Sequence, residues 1–131
     1  MIVYRVALSP KHEGNLTGKW AGPYREGWDS FDPNVKAVSN RLCREHVDES
    51  HPTPWTDLPG GISPNEFCVL ISEGQLAKWF ENFGHDLDAA GYSVVAYDVP
   101  AEKVRSGTYQ SVAAVTDSDI VGIYEPLGMI P

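Results

Sequence analysis

Basic residues are scarce in this chain. Ten Lys and Arg stand against eighteen Asp and Glu, a formal net charge of −8. So acidic a balance leaves no basic face for general binding to DNA, RNA or an anionic membrane, although a local cationic pocket stays compatible with it. Cysteine is scarcer still. Cys43 and Cys68 are the only two; they lie far apart in apolar contexts, and both are expected reduced and buried. Neither has the basic surroundings that would make a thiolate nucleophile, and neither is spaced to join His46 or His51 in a metal motif, so no metal is expected. No apolar run reaches membrane-spanning length. The amino terminus opens as a strand instead of a basic segment with an apolar signal core, which predicts a cytoplasmic protein. Walker-type and dinucleotide glycine fingerprints are missing, as are internal repeats and the glycines of a nucleophile elbow that would support Ser72, His51 and an aspartate as a triad.

What is present fits one domain. A chain of 131 residues is long enough to bury a core without staples. Its centre is Phe67 to Phe80, where a short apolar run rich in β-formers passes at Ser72 into an amphipathic helix. Ser72 has the chemistry of an N-cap, Glu73 favours the positive end of the helix dipole, and Leu76, Trp79, Phe80 and Phe83 recur at helical spacing. A serine at such a joint either caps the helix or also lines a ligand pocket.

Ile2 to Leu8 alternates as a first strand, with Arg5 on the face of Val3 and Ala7 and opposite Ile2, Tyr4, Val6 and Leu8. Arg5 is therefore either a solvated outer-face residue or a planar fork for phosphate or carboxylate. Ser9 to Phe31 reads as a loop carrying Trp20, Tyr24 and Trp28, either packed back on the domain or facing a ligand. Asp32-Pro33 starts a helix that runs to about His46 on a Val35, Val38, Leu42, Cys43 stripe. Asp48 to Glu66 is a loop stiffened by Pro52 and Pro54, which restrict His51 and Trp55. Gly84 is expected to break the central helix, with a further helical turn over Asp86 to Ala90 and a C-cap at Gly91. Tyr92 to Val99, Thr108 to Val115 and Ile120 to Tyr124 complete the strands. The acidic pairs Asp86 with Asp88 and Asp117 with Asp119 read as caps and solvated turns. Strands grouped after the helices predict an α+β domain with a mixed or mostly antiparallel sheet and two main helices.

Val3-Tyr4-Arg5 on the first strand, Phe67 to Ile71 leading into Ser72, and a late strand holding Tyr109-Gln110 together resemble the Arg–Ser–Glu layout of the ADP-ribosyltransferase fold. The resemblance implies that Arg5 and Ser72 organise an NAD site and that the late catalytic position falls at Gln110. A glutamine there departs from the family, because it supplies no carboxylate to orient a ribose hydroxyl or stabilise a cationic sugar. His51, Trp55 and Tyr24 supply further polar and aromatic groups for such a pocket. Two classes follow: an NAD-handling transferase or glycohydrolase, and a non-catalytic module that binds a nucleotide or a protein. The resemblance suggests a small phage or bacterial accessory protein, in the host cytoplasm if viral. As an inhibitor, its acidic surface would suit a basic host-defence partner.

Overall fold

Period-two alternation at the amino terminus produces β1 (Ile2–Leu8) with the expected bounds. The computed structural model describes every residue except Asp29, and every side chain except those of Arg25 and Trp28, so the expected role of the Trp28 ring lies outside the described residues. After β1 the chain forms a loop organised by Asn15, whose amide nitrogen donates to the carbonyls of Leu8, Ser9 and Lys19. Ala21 then pairs back on Leu8 through two main-chain bonds of 2.8 and 3.1 Å.

A short helix α1 (Arg25–Trp28) precedes α2 (Pro33–Glu45). Asp32 caps α2 by accepting from the Asn34 and Val35 amides, and His46 closes it as C-cap. Within the stiff loop, Pro54 starts a single helical turn, α3 (Pro54–Asp57). β2 (Phe67–Val69) runs through Leu70 to Ser72, whose hydroxyl accepts from Gln75 N at 3.0 Å and caps α4 (Glu73–Trp79). α4 is shorter than its apolar stripe suggests. Asn82 turns left-handed at φ 73, so Phe83 joins the core from the connection to α5 (Gly84–Ala89).

Gly84 therefore starts a helix instead of breaking one. A Cβ at this position would stand 2.2 Å from the Ile130 carbonyl oxygen, so the close approach of the carboxyl-terminal segment is what requires glycine. The remaining strands are β3 (Tyr92–Asp98), β4 (Val104–Ser106), β5 (Ser111–Ala113) and β6 (Ile120–Tyr124). The single strand expected over Thr108 to Val115 is instead a turn followed by β5. The Asp57 carboxylate fixes that turn by accepting from the amides of Thr108, Tyr109 and Gln110 at 2.8, 3.0 and 3.0 Å.

The result is a small single-domain α+β protein with antiparallel sheets and few helices. One sheet has the order β1-β3-β6 and the other β2-β5-β4. Among the described residues they meet at one bridge, where Tyr4 and Leu70 exchange main-chain bonds of 2.8 and 2.9 Å. On one face Val6, Leu8, Tyr92 and Val94 pack under Val35, Val38 and Leu42 of α2, Leu76 of α4 and Leu87 of α5. On the other, Val3, Ala7, Val69, Val95, Tyr97 and Ala113 form a second core. Arg41 ties the helices from outside: it pairs with Glu45 and Asp86, donates to the Asn82 carbonyl at 3.1 Å and covers the Phe83 ring at 4.0 Å. Among the described residues no helix is long and apolar enough to cross a membrane. Neither cysteine is in a disulfide, and both are less buried than their apolar contexts predict: Cys43 is half-buried and Cys68 exposed.

Candidate functional site

Beyond the Tyr4–Leu70 bridge, β1 and β2 separate, and the gap stays open until β1 is bridged again at Leu8–Ala21. Antiparallel strands turn the N–H and C=O of alternate residues to the same side. Tyr4 and Leu8 face Leu70 and Ala21, so Val6 between them presents its main-chain groups to the gap. By the same alternation Cys68, two residues before Leu70, presents its own from the other edge. Among the described residues no bridge joins either of them across the opening. The split thus offers two sets of main-chain donors and acceptors, a polar feature in a largely apolar wall.

The split opens into a cavity of about 520 Å³, within the range of small-molecule sites. Arg5, Tyr24, His51 and Gln110 all line it, together with Tyr4, Val6, Phe67, Cys68, Trp79 and Phe80. Four of the residues singled out in the sequence therefore converge. Ser72 and Trp55 do not: Ser72 is an exposed helix cap, and Trp55 is 69% exposed with its ring against Gly61.

Arg5 is buried, not solvated. Only 7% of the residue is exposed. Its guanidinium lies 4.3 Å from the Phe67 ring centre and donates to the Trp20 carbonyl at 3.2 Å. Among the described residues it has no ion-pair partner. The Tyr97 side chain is a further hydrogen-bond partner, but it brings no counter-charge, and a buried cation without one is costly unless an anion reaches it. The nearby acid in the wall, Glu66, is already engaged. Arg105 holds its carboxylate at 2.6 and 3.1 Å, and this pairing, reinforced by the Ser63 amide, lowers Glu66 to about 2.

Gln110 stands just before β5 rather than within a strand, and it is 3% exposed. Its side-chain nitrogen donates to the Pro52 carbonyl at 2.6 Å. That bond fixes the amide to the proline-stiffened loop. Cys68, although exposed as a residue, has enough protein around its sulfur that burial pushes the thiol up to about 11, against the opposing charge of Arg5. It is protonated at neutral pH and is no nucleophile.

The far wall is an aromatic cluster. The Trp79 indole donates to Tyr24 Oη at 2.7 Å, and Tyr24 Oη lies 2.6 Å from His46 Nδ1. His46 stacks on His51 with ring centres 3.8 Å apart and planes 12° from parallel. His51 in turn contacts Asp48 Oδ1 through Nδ1 and the Trp79 carbonyl through Nε2, each at 2.9 Å. Burial raises the Tyr24 hydroxyl far above its ordinary range.

Sequence reasoning missed His46, Trp79, Glu66, Arg105 and the main chain of Val6 and Cys68 as parts of this site. His46 and Trp79 were legible only as a helix end and a core stripe. Glu66 and Arg105 meet through the β2-β5-β4 pairing, which no local pattern announces. Among the described residues no group of His, Cys, Asp and Glu could hold a metal ion. No protein of curated function and no solved structure matches the chain. The family model described as Bacteriophage T4 Y00F protein matches residues 1–127, and the chain belongs to that phage protein family.

Proposed function

We propose that this phage protein is a binding module for a nucleotide-type small molecule, NAD or a relative of it, seated in the split between β1 and β2 and held without transferase chemistry. The observation that carries the reading is Arg5, buried in the cavity wall without an ion-pair partner beside the open edges of Val6 and Cys68. Arginine suits phosphate or carboxylate, the main-chain edges suit the amide and ring-nitrogen groups of a base, and aromatic walls suit its flat face. Of the residues that the ADP-ribosyltransferase resemblance implies, Arg5 and Gln110 line this pocket, whereas the middle serine, Ser72, stands outside it. The resemblance does not extend to catalysis. Gln110 has no carboxylate and its amide is committed to Pro52, while Glu66 is clamped by Arg105.

A thermal-shift series with NAD, ADP-ribose, nicotinamide and cyclic nucleotides tests the proposal. A ligand at about one hundred times its dissociation constant stabilises the folded state by about 2.7 kcal/mol. The reading expects a rise with NAD or ADP-ribose and no release of nicotinamide. Nicotinamide release would make the protein an enzyme. No shift with any compound would turn the reading to docking on a host protein, for which the acidic surface and exposed Trp55 are the relevant features.

A further inference from the structure

A second cavity of about 540 Å³, lined by residues including Asp48, Gln75 and Tyr109, lies on the other side of His46, His51 and Trp79. These three side chains line both cavities and so form the partition between them. We propose that the His46–His51 stack is an acid-sensitive latch, in which one added proton on His46 parts the rings and opens the wall of the ligand cavity.

The hydrogen-bond directions set the charge that the stack accepts. Trp79 Nε1 donates to Tyr24 Oη, and His46 Nδ1, 2.6 Å away, is the acceptor within reach of the hydroxyl's own hydrogen when that nitrogen is bare. His46 is then neutral, with its hydrogen on Nε2. A proton added at Nδ1 would meet the Tyr24 hydrogen already there. His51 is built differently. The Asp48 carboxylate and the Trp79 carbonyl are both acceptors, and both contacts are satisfied only when each ring nitrogen carries a hydrogen. One positive charge fits on His51, beside Asp48; a second on His46 would sit 3.8 Å away, ring centre to ring centre.

The groups facing His46 leave it little compensation. Tyr24 from the aromatic loop and Trp79, Phe80 and Phe83 from α4 and its C-terminal connection surround the ring. Of the charged groups, Glu45 and Asp48 favour its protonation and Arg41 and His51 oppose it. Burial first, then His51, lowers His46 from 6.5 to about 4. Since the closed state disfavours the proton on His46, the His46 contribution to the stack is complete above pH 6.5 and is lost as pH falls toward 4. Over that interval the open-to-closed ratio rises by about two orders of magnitude, set by the difference between 6.5 and about 4.

The test is hydrogen exchange of the Trp79 indole N–H by NMR, corrected for intrinsic exchange, followed beside the Val94 amide in β3. The expected result is a rise of about a hundredfold for Trp79 between pH 6.5 and 4, without a matching rise at Val94, and its loss in His46→Gln. An unchanged indole rate, the same rise in His46→Gln, or Val94 exchanging in step with Trp79 would overturn the latch. If His46→Gln does not fold, imidazole nitrogen shifts decide the matter in the wild-type protein. Titration of His46 near 6.5 with the stack intact also overturns the proposal.

Discussion

Arg5 and Gln110 do opposite things with the same cavity. Arg5 enters it carrying a charge that no described carboxylate balances, whereas Gln110 uses its donor to hold the Pro52 carbonyl. Arg5→Gln, which keeps a polar side chain in the space, is expected to fold and to weaken binding of an anionic ligand by about tenfold or more in isothermal titration. Gln110→Glu removes the donor and sets a carboxylate against a carbonyl oxygen. Its expected effect is a loss of about 1 to 3 kcal/mol in urea unfolding rather than a gain of turnover. Ser72→Ala should cost about 1 kcal/mol through the lost cap and leave ligand affinity unchanged, because Ser72 stands outside the cavity. Ser72 was legible as a cap because capping is decided within four residues of chain. Whether Arg5 was solvated or buried was not, because Phe67 and Trp20 cover it from distant parts of the sequence.

Elements followed their local signals closely where both ends were marked. Asp32-Pro33 opens α2 and His46 closes it, as its composition indicated. The signals failed where tertiary contacts decided. A left-handed Asn82 ends the α4 region before the apolar stripe does, and the Asp57 carboxylate folds residues 108–110 into a turn that propensity reads as strand. Gly84 looked like a breaker because its need is set by the Ile130 carbonyl, far away in sequence. Gly84→Ala should therefore destabilise by more than 1 kcal/mol in thermal unfolding, although alanine is the better helix former by about that amount. The Glu66–Arg105 pair anchors β2 to β4 and gives a pH signature. Glu66 is lowered from 4.5 to about 2, so its contribution is complete above pH 4.5 and disappears as pH falls through about 2. Arg105→Gln should remove that acid-limb slope from urea-unfolding free energies measured between pH 5 and 2. At neutral pH it should cost about 2 kcal/mol by leaving a half-buried carboxylate short of partners.

At the scale of the whole molecule, the proposed function rests on two sheets that, among the described residues, share a single bridge. Had β1 and β2 paired along their length, Val6 and Cys68 would have been joined and the cavity closed. The α+β class and the antiparallel strands were legible from the order of elements. The split was not, because alternation specifies which face a side chain takes and says nothing of which strand lies beside it. The central claim is that the open edges of Val6 and Cys68, with Arg5, hold a nucleotide-type ligand. The most direct measurement is an amide-resolved NMR titration with NAD and ADP-ribose. The account predicts saturable shifts concentrated at Val6, Cys68 and the Arg5 guanidinium, with the Ser72 and Trp55 signals little changed. Saturation with shifts confined to the Trp55 surface, or no shifts at millimolar ligand, would contradict it.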